Sequence, residues 1–142
     1  MRHTTVAGMA FAVLLAAQAP AFADTLEQAR TSLKNYGFTY CLAQAYPDSK
    51  HLDEDLAAAS GAYHFMGRGA HFIAQDEETL EISHDPYQAT ADFIGIAYPK
   101  IPAQTQAQGR KNPLMACLTI YNSTEYEDFI QGQDSYINNP EK

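Results

Sequence analysis

The apolar positions recur at helical spacing along most of the chain. Leu26, Ala29, Leu33, Tyr36, Tyr40 and Ala45 follow one another at intervals of three, four and five. That pattern predicts a first helix beginning near Asp24 or Thr25 and ending before Pro47, because the residue ahead of a proline is pushed out of the helical region. Thr25 with Gln28 has the form of a capping box. Gly37 lies inside this run and marks either a break or a close helix contact. A second helix is predicted over residues 52–65, started by Asp48 or Ser49, with Asp53, Glu54 and Asp55 at the positive end of its dipole. Leu52, Leu56, Ser60 and Tyr63 share one of its faces. The small residues Ala57, Ala58, Ala59, Ser60, Gly61 and Ala62 predict a tight packing seam, and Gly67 a C-cap.

Two further helices carry strong start signals. Asp85 before Pro86 and Asn112 before Pro113 each pair a capping side chain with a proline at the first helical position. Tyr87, Ala91, Ile94 and Tyr98 form the apolar face of the third helix, which Pro99 stops. Leu114, Cys117, Leu118 and Tyr121 are the expected buried stripe of the fourth. A last helix, capped by Asn122 or Ser123, carries Tyr126, Phe129 and Ile130 and ends at Gly132.

Three segments lack this regularity. Residues 68–85 read as an ordered loop with exposed apolar side chains and a short helix over 76–81; loops of this length often carry binding work. Residues 101–111 read as a mobile polar connector, and the tail after Gly132 as frayed. No segment shows clean period-two alternation. The expected fold is all-α: a small helical bundle of about five helices.

The N-terminus changes the compartment. Arg2 and His3 precede an apolar run from Val6 to Ala17, and Ala21-Phe22-Ala23 is a small-x-small cleavage site. Residues 1–23 are therefore expected to be a secretory signal peptide, too short to span a membrane comfortably and with no lipobox cysteine. Residues 24–142 then form a single exported, periplasmic domain. The net charge of −8 gives no electrostatic footprint for nucleic acid or anionic lipid and suits a basic partner. Cys41 and Cys117 are the only cysteines. In an exported chain they are expected to pair and to staple two helices. The alternatives, a thiol nucleophile or a metal pair, lack a histidine near either thiol in sequence and match no zinc spacing.

Candidate chemistry is sparse. His64, His71 and His84 with Asp76, Glu77 and Glu78 lack metal-ligand spacing; the histidines read as surface or partner-facing residues, and the acidic triplet as a solvated helix start able to meet a basic patch. There is no phosphate loop after a strand and no serine elbow. The nine tyrosines and absent tryptophan suit core edges and protein interfaces alike. No cofactor, no metal and no enzymatic activity are expected.

Asn35-Tyr36, the run Cys41-Leu42-Ala43-Gln44-Ala45-Tyr46, the run Ala58-Ala59-Ser60-Gly61-Ala62-Tyr63 with Gly67, and Met115-Ala116-Cys117-Leu118 with Tyr121-Asn122-Ser123 resemble the type VI secretion amidase immunity proteins of the fourth group. The resemblance covers most of the exported chain, in order. It implies a periplasmic helical protein, commonly a homodimer, whose partner is a papain-like peptidoglycan amidase effector blocked by a loop that plugs its substrate groove. Residues 67–84 are the expected plug, with Gly67, Arg68, His71, Phe72, Asp76, Glu77, Glu78 and His84 as toxin-binding candidates. The competing expectations are an inhibitor or adaptor for another wall hydrolase, a small metal-assisted enzyme, and a structural envelope protein.

Overall fold

The computed structural model describes residues 21–107 and 109–138. The expected signal peptide lies outside them except for residues 21–23, which continue the first helix. That helix, α1 (Ala21–Ala45), is the central element; α2 (Lys50–Tyr63), α3 (Pro86–Ala97), α4 (Pro113–Tyr121) and α5 (Thr124–Gln131) all pack against it. The cap signals of α3, α4 and α5 act as expected, whereas Ser49 makes no side-chain bond at the start of α2 and Thr25, the expected cap of the first helix, lies inside α1. The Asp85 carboxylate accepts from the N–H groups of Tyr87 and Gln88, the Asn112 side chain from Met115 N–H, and Ser123 Oγ from Tyr126 N–H. Cys41 and Cys117 form the disulfide, with Cα atoms 5.8 Å apart, and join α1 to α4.

The core gathers Leu33 and Cys41 of α1, Tyr87 and Ile94 of α3, Cys117 and Ile120 of α4, and Tyr126 and Ile130 of α5. Gly37 is a close contact, not a break. A Cβ added there would lie 2.0 Å from Tyr126 Oη and 2.6 Å from Thr90 Cγ2. Tyr126 in turn donates to the Lys34 carbonyl, at 3.1 Å. In an ordinary helix interior Gly→Ala stabilises by up to ~1 kcal/mol. Here Gly37→Ala is expected to destabilise by about 2 kcal/mol, as overpacking does. Thermal unfolding reads the sign, and a raised midpoint would refute the close contact.

Several expectations need correction. The fold is not purely α: residues 74–75 (β1, Ala74–Gln75) and 82–84 (β2, Ile82–His84) form a two-stranded antiparallel ribbon. Residues 76–81 are its turn, not a helix. The buried face of α4 is Ala116, Cys117 and Ile120, whereas Leu114 and Leu118 are 44% and 41% exposed. The disulfide sets this rotation: with Cys117 turned inward, Leu114 and Leu118 lie off the contact line. The small run of α2 is not a seam, since Ala57, Ala58, Gly61 and Ala62 face outward and Leu56 is the residue this helix buries. The 101–111 connector is tied down by the Gln104–Lys111 bridge, by Asn112 N–H on the Ala103 carbonyl at 2.9 Å, and by Lys111 Nζ, which donates to the Tyr98 carbonyl and sits 4.0 Å above the Tyr98 ring. The tail is docked as far as Asn138 by backbone bonds from Phe72 N–H to the Tyr136 carbonyl and from Asn138 N–H to the Ala70 carbonyl.

Candidate functional site

The segment between α2 and α3 is built outward from an aromatic knot. After Tyr63 the chain turns on three backbone bonds, from Gly67 and Gly69 N–H to the His64 carbonyl and from Arg68 N–H to the Ala62 carbonyl. Gly67 is required by proximity: a Cβ there would meet the Gly61 carbonyl oxygen at 2.4 Å. It therefore closes the turn, while the cap position itself falls at His64. The His64 ring lies 4.3 Å from Tyr87 and 4.5 Å from Phe65, and Tyr36 meets Tyr87 edge-on at 5.1 Å. This knot fixes the base of the segment to α1 and α3.

Next, residues 70–72 lie against the C-terminal stretch. His71 pairs with Ile137 as an isolated bridge and its carbonyl accepts from Tyr87 Oη at 3.0 Å. Its ring is fully buried, and among the described residues neither ring nitrogen has a hydrogen-bond partner. Burial pushes its pKa down to about 4, against the pull of the Asp134 carboxylate. The expected partner-facing position of His71 is corrected here: it is an interior residue of the mount. Phe72 leans edge-on against Tyr136 at 6.0 Å. His84 also turns inward, stacking on Tyr136 at 4.0 Å with Nε2 2.8 Å from Gln133 Oε1. The stretch they lean on is held to α1 by Arg30, whose guanidinium makes two hydrogen bonds to Asp134 and a third to Glu27.

Beyond this mount the ribbon projects. Ala74 pairs with His84 and Gln75 with Ile82, with a register irregularity between Ala74 and Gln75. Every residue from 75 to 83 is exposed. Asp76 organises the turn: its Oδ1 accepts from Thr79 N–H (2.8 Å), Glu78 N–H (3.0 Å) and Thr79 Oγ1 (3.1 Å). Those bonds favour the charged carboxylate, the Thr79 N–H first, and hold its pKa below the ordinary value. Asp76 N–H donates to the Glu81 carbonyl and Leu80 N–H to the Asp76 carbonyl, each at 2.9 Å. The result is a pinned tip presenting Glu77, Glu78, Leu80, Glu81 and Ile82.

Of the candidates from the sequence, Gly67, Arg68, Phe72, Asp76, Glu77 and Glu78 thus reach the surface, and His71 and His84 support them from within. The sequence left Leu80 and Ile82 out of the candidate set, and missed the role of Gln133, Asp134 and Tyr136. The clue to the latter was Tyr136-Ile137, an aromatic and a branched residue inside an otherwise polar tail.

A groove of about 590 Å³ runs along α1 and α2, lined among others by Glu27, Thr31, Asn35, Tyr63 and Arg68. Among the described residues its lining holds no cysteine or histidine. Among the described residues no three His, Cys, Asp or Glu side chains gather as a metal site, and no helix is long and apolar enough to cross a membrane.

Compared with known proteins, residues 31–130 match the family model Tai4, described as "Type VI secretion system (T6SS), amidase immunity protein". No curated protein and no solved structure matches the chain. The matched span takes in both cysteines, the aromatic knot, the ribbon, α3, α4 and all but the last residue of α5. The chain therefore belongs to the Tai4 family of type VI secretion system amidase immunity proteins.

Proposed function

We propose that this protein protects its cell by binding a peptidoglycan amidase effector and blocking its active site with the segment between α2 and α3. The role is stoichiometric and not enzymatic. It is carried out in the periplasm, after export by the signal peptide of residues 1–23. The observation that carries the proposal is the pinned ribbon: an acidic, wholly exposed projection from residue 75 to 83 on a disulfide-stapled bundle of an amidase immunity family. A rigid projection loses little conformational entropy on entering a cleft, which favours tight binding. Gly67, Arg68 and Phe72 would flank the cleft, and Glu77 and Glu78 would meet basic groups there. The proposal includes a homodimer, supported by the apolar face that Leu114, Met115 and Leu118 expose on α4.

The test is titration of the oxidised chain against the amidase encoded beside its gene, following peptidoglycan crosslink cleavage, with light scattering to read the mass of the free protein. Stoichiometric inhibition is expected. Asp76 is left intact in the electrostatic variant, because it holds the turn. Replacing Glu77, Glu78 and Glu81 together by glutamine should slow association by about tenfold and flatten its salt dependence, the signature of lost charge steering. An unchanged association rate at low salt would remove the acidic residues from the mechanism, and a folded protein that leaves the amidase active would remove the proposal.

A further inference from the structure

We infer that Leu80 is the anchoring side chain of the ribbon: it enters an apolar pocket on the amidase effector, while Glu77, Glu78 and Glu81 around it meet basic groups on that pocket's rim. The inference rests on the proposal that this segment blocks the effector.

Leu80 departs from local preference in two ways. Its φ is +60°, in the left-handed region that glycine, asparagine and aspartate occupy readily and leucine does not. The residue is 71% exposed, so among the described residues little packing offsets that conformation. Among the described residues Ala103, with φ of +39°, is the other non-glycine residue of this kind. Ala103 is half-buried and its carbonyl ties the connector to Asn112. Its conformation serves the fold. The Leu80 conformation is enforced by the Asp76 turn, yet among the described residues its side chain takes no part in the core. Strained residues that persist because their surroundings over-determine them concentrate at binding sites.

The setting suits an anchor. Leu80 sits at the end of a turn whose other side chains are polar or acidic, and Ile82, 59% exposed, follows two residues later. An apolar side chain ringed by charge matches the anatomy of an interface centre: the apolar group is fully desolvated on binding, and the rim charges orient the approach. The chain as a whole is acidic, at −8, so the complementary pocket is apolar with a basic rim.

The two roles of Leu80 separate in one experiment. Leu80→Asn tolerates the left-handed backbone, retains a Cβ, and removes the apolar end. The oxidised chain carrying it should unfold at a higher urea concentration than the wild type, because strain is relieved. It should bind the amidase encoded beside the gene about thirtyfold more weakly, as truncation of an interface anchor does. Leu80→Met, which keeps an apolar side chain, should bind within about threefold of the wild type. Wild-type affinity in the asparagine variant would overturn the anchor while leaving the blocking segment in place. A wild-type chain that does not bind the amidase at all would overturn both.

Discussion

Replacing Cys41 and Cys117 with alanine lowers the unfolding free energy by about 4–5 kcal/mol, the value the chain-entropy model gives for a crosslink closing a loop this long. The two cysteines are 76 residues apart, and α2, the ribbon and α3 all lie between them. A domain of this size is stable by only about 5–15 kcal/mol in total. The crosslink is thus a large share of that stability, and its loss should lower the thermal midpoint by more than about ten degrees. Urea unfolding of the oxidised chain, the reduced chain and the double alanine variant checks this. The reduced and alanine forms should agree closely, and both should lose inhibition in parallel with structure. A loss below about 1 kcal/mol would mean that the reduced, unfolded chain is already confined, and stapling would then not be what holds the mount of the ribbon in place.

What the sequence made legible follows from the physics of each segment. Helix starts were readable because the cap is local chemistry: Asp85-Pro86, Asn112-Pro113 and Ser123 each place a side-chain oxygen where the first free N–H groups need it. The stripe of α1 was readable in part: Ala29 and Leu33 are buried as the spacing indicated, whereas Tyr36 and Tyr40 are half-buried and Cys41 takes the inward position further along. The face of α4 was not. Its nine residues are apolar nearly all round, so periodicity carries no phase, and the disulfide decides which side is inward. The ribbon was missed because strands of two and three residues are too short to show alternation. Its acidic turn also imitates a helix start: Asp76 caps the N–H groups of Glu78 and Thr79 as it would in a helix, and the left-handed Leu80 then ends the turn. The docked tail depends on residues more than sixty positions apart, such as Phe72 with Tyr136, and on Arg30 reaching Asp134. No local rule could supply those pairings.

His71 is where that tertiary docking should become measurable as a pH dependence of stability. Its imidazole is buried with both nitrogens unpartnered among the described residues, so the neutral form is the one the fold accepts. The facing groups are the Asp134 carboxylate, already held by Arg30, and the Tyr87 hydroxyl, already donated to the His71 carbonyl. Burial lowers the folded pKa from 6.5 to about 4. Between those values the unfolded chain binds more protons than the folded one, so stability rises with pH across that window. The contribution is complete above about pH 6.5 and is lost as pH falls toward 4, on the order of 3 kcal/mol in all. His71→Leu removes the titrating group and keeps an apolar occupant in the buried site. Unfolding free energies measured by urea at steps from pH 7.5 to 4 should fall steeply for the wild type and much less for the variant, the remaining slope belonging to carboxylates such as Glu127 that Lys34 holds below their ordinary pKa. Amide exchange should report where the acid acts: the bonds from Phe72 to Tyr136 and from Asn138 to Ala70 flank the ring, so their protection should drop before that of the α1 core. Equal slopes in wild type and variant would show that the ring finds a partner or water on protonation. The inward mount of the ribbon would then be held by the backbone pairing and the Arg30–Asp134 contact without help from the neutral imidazole.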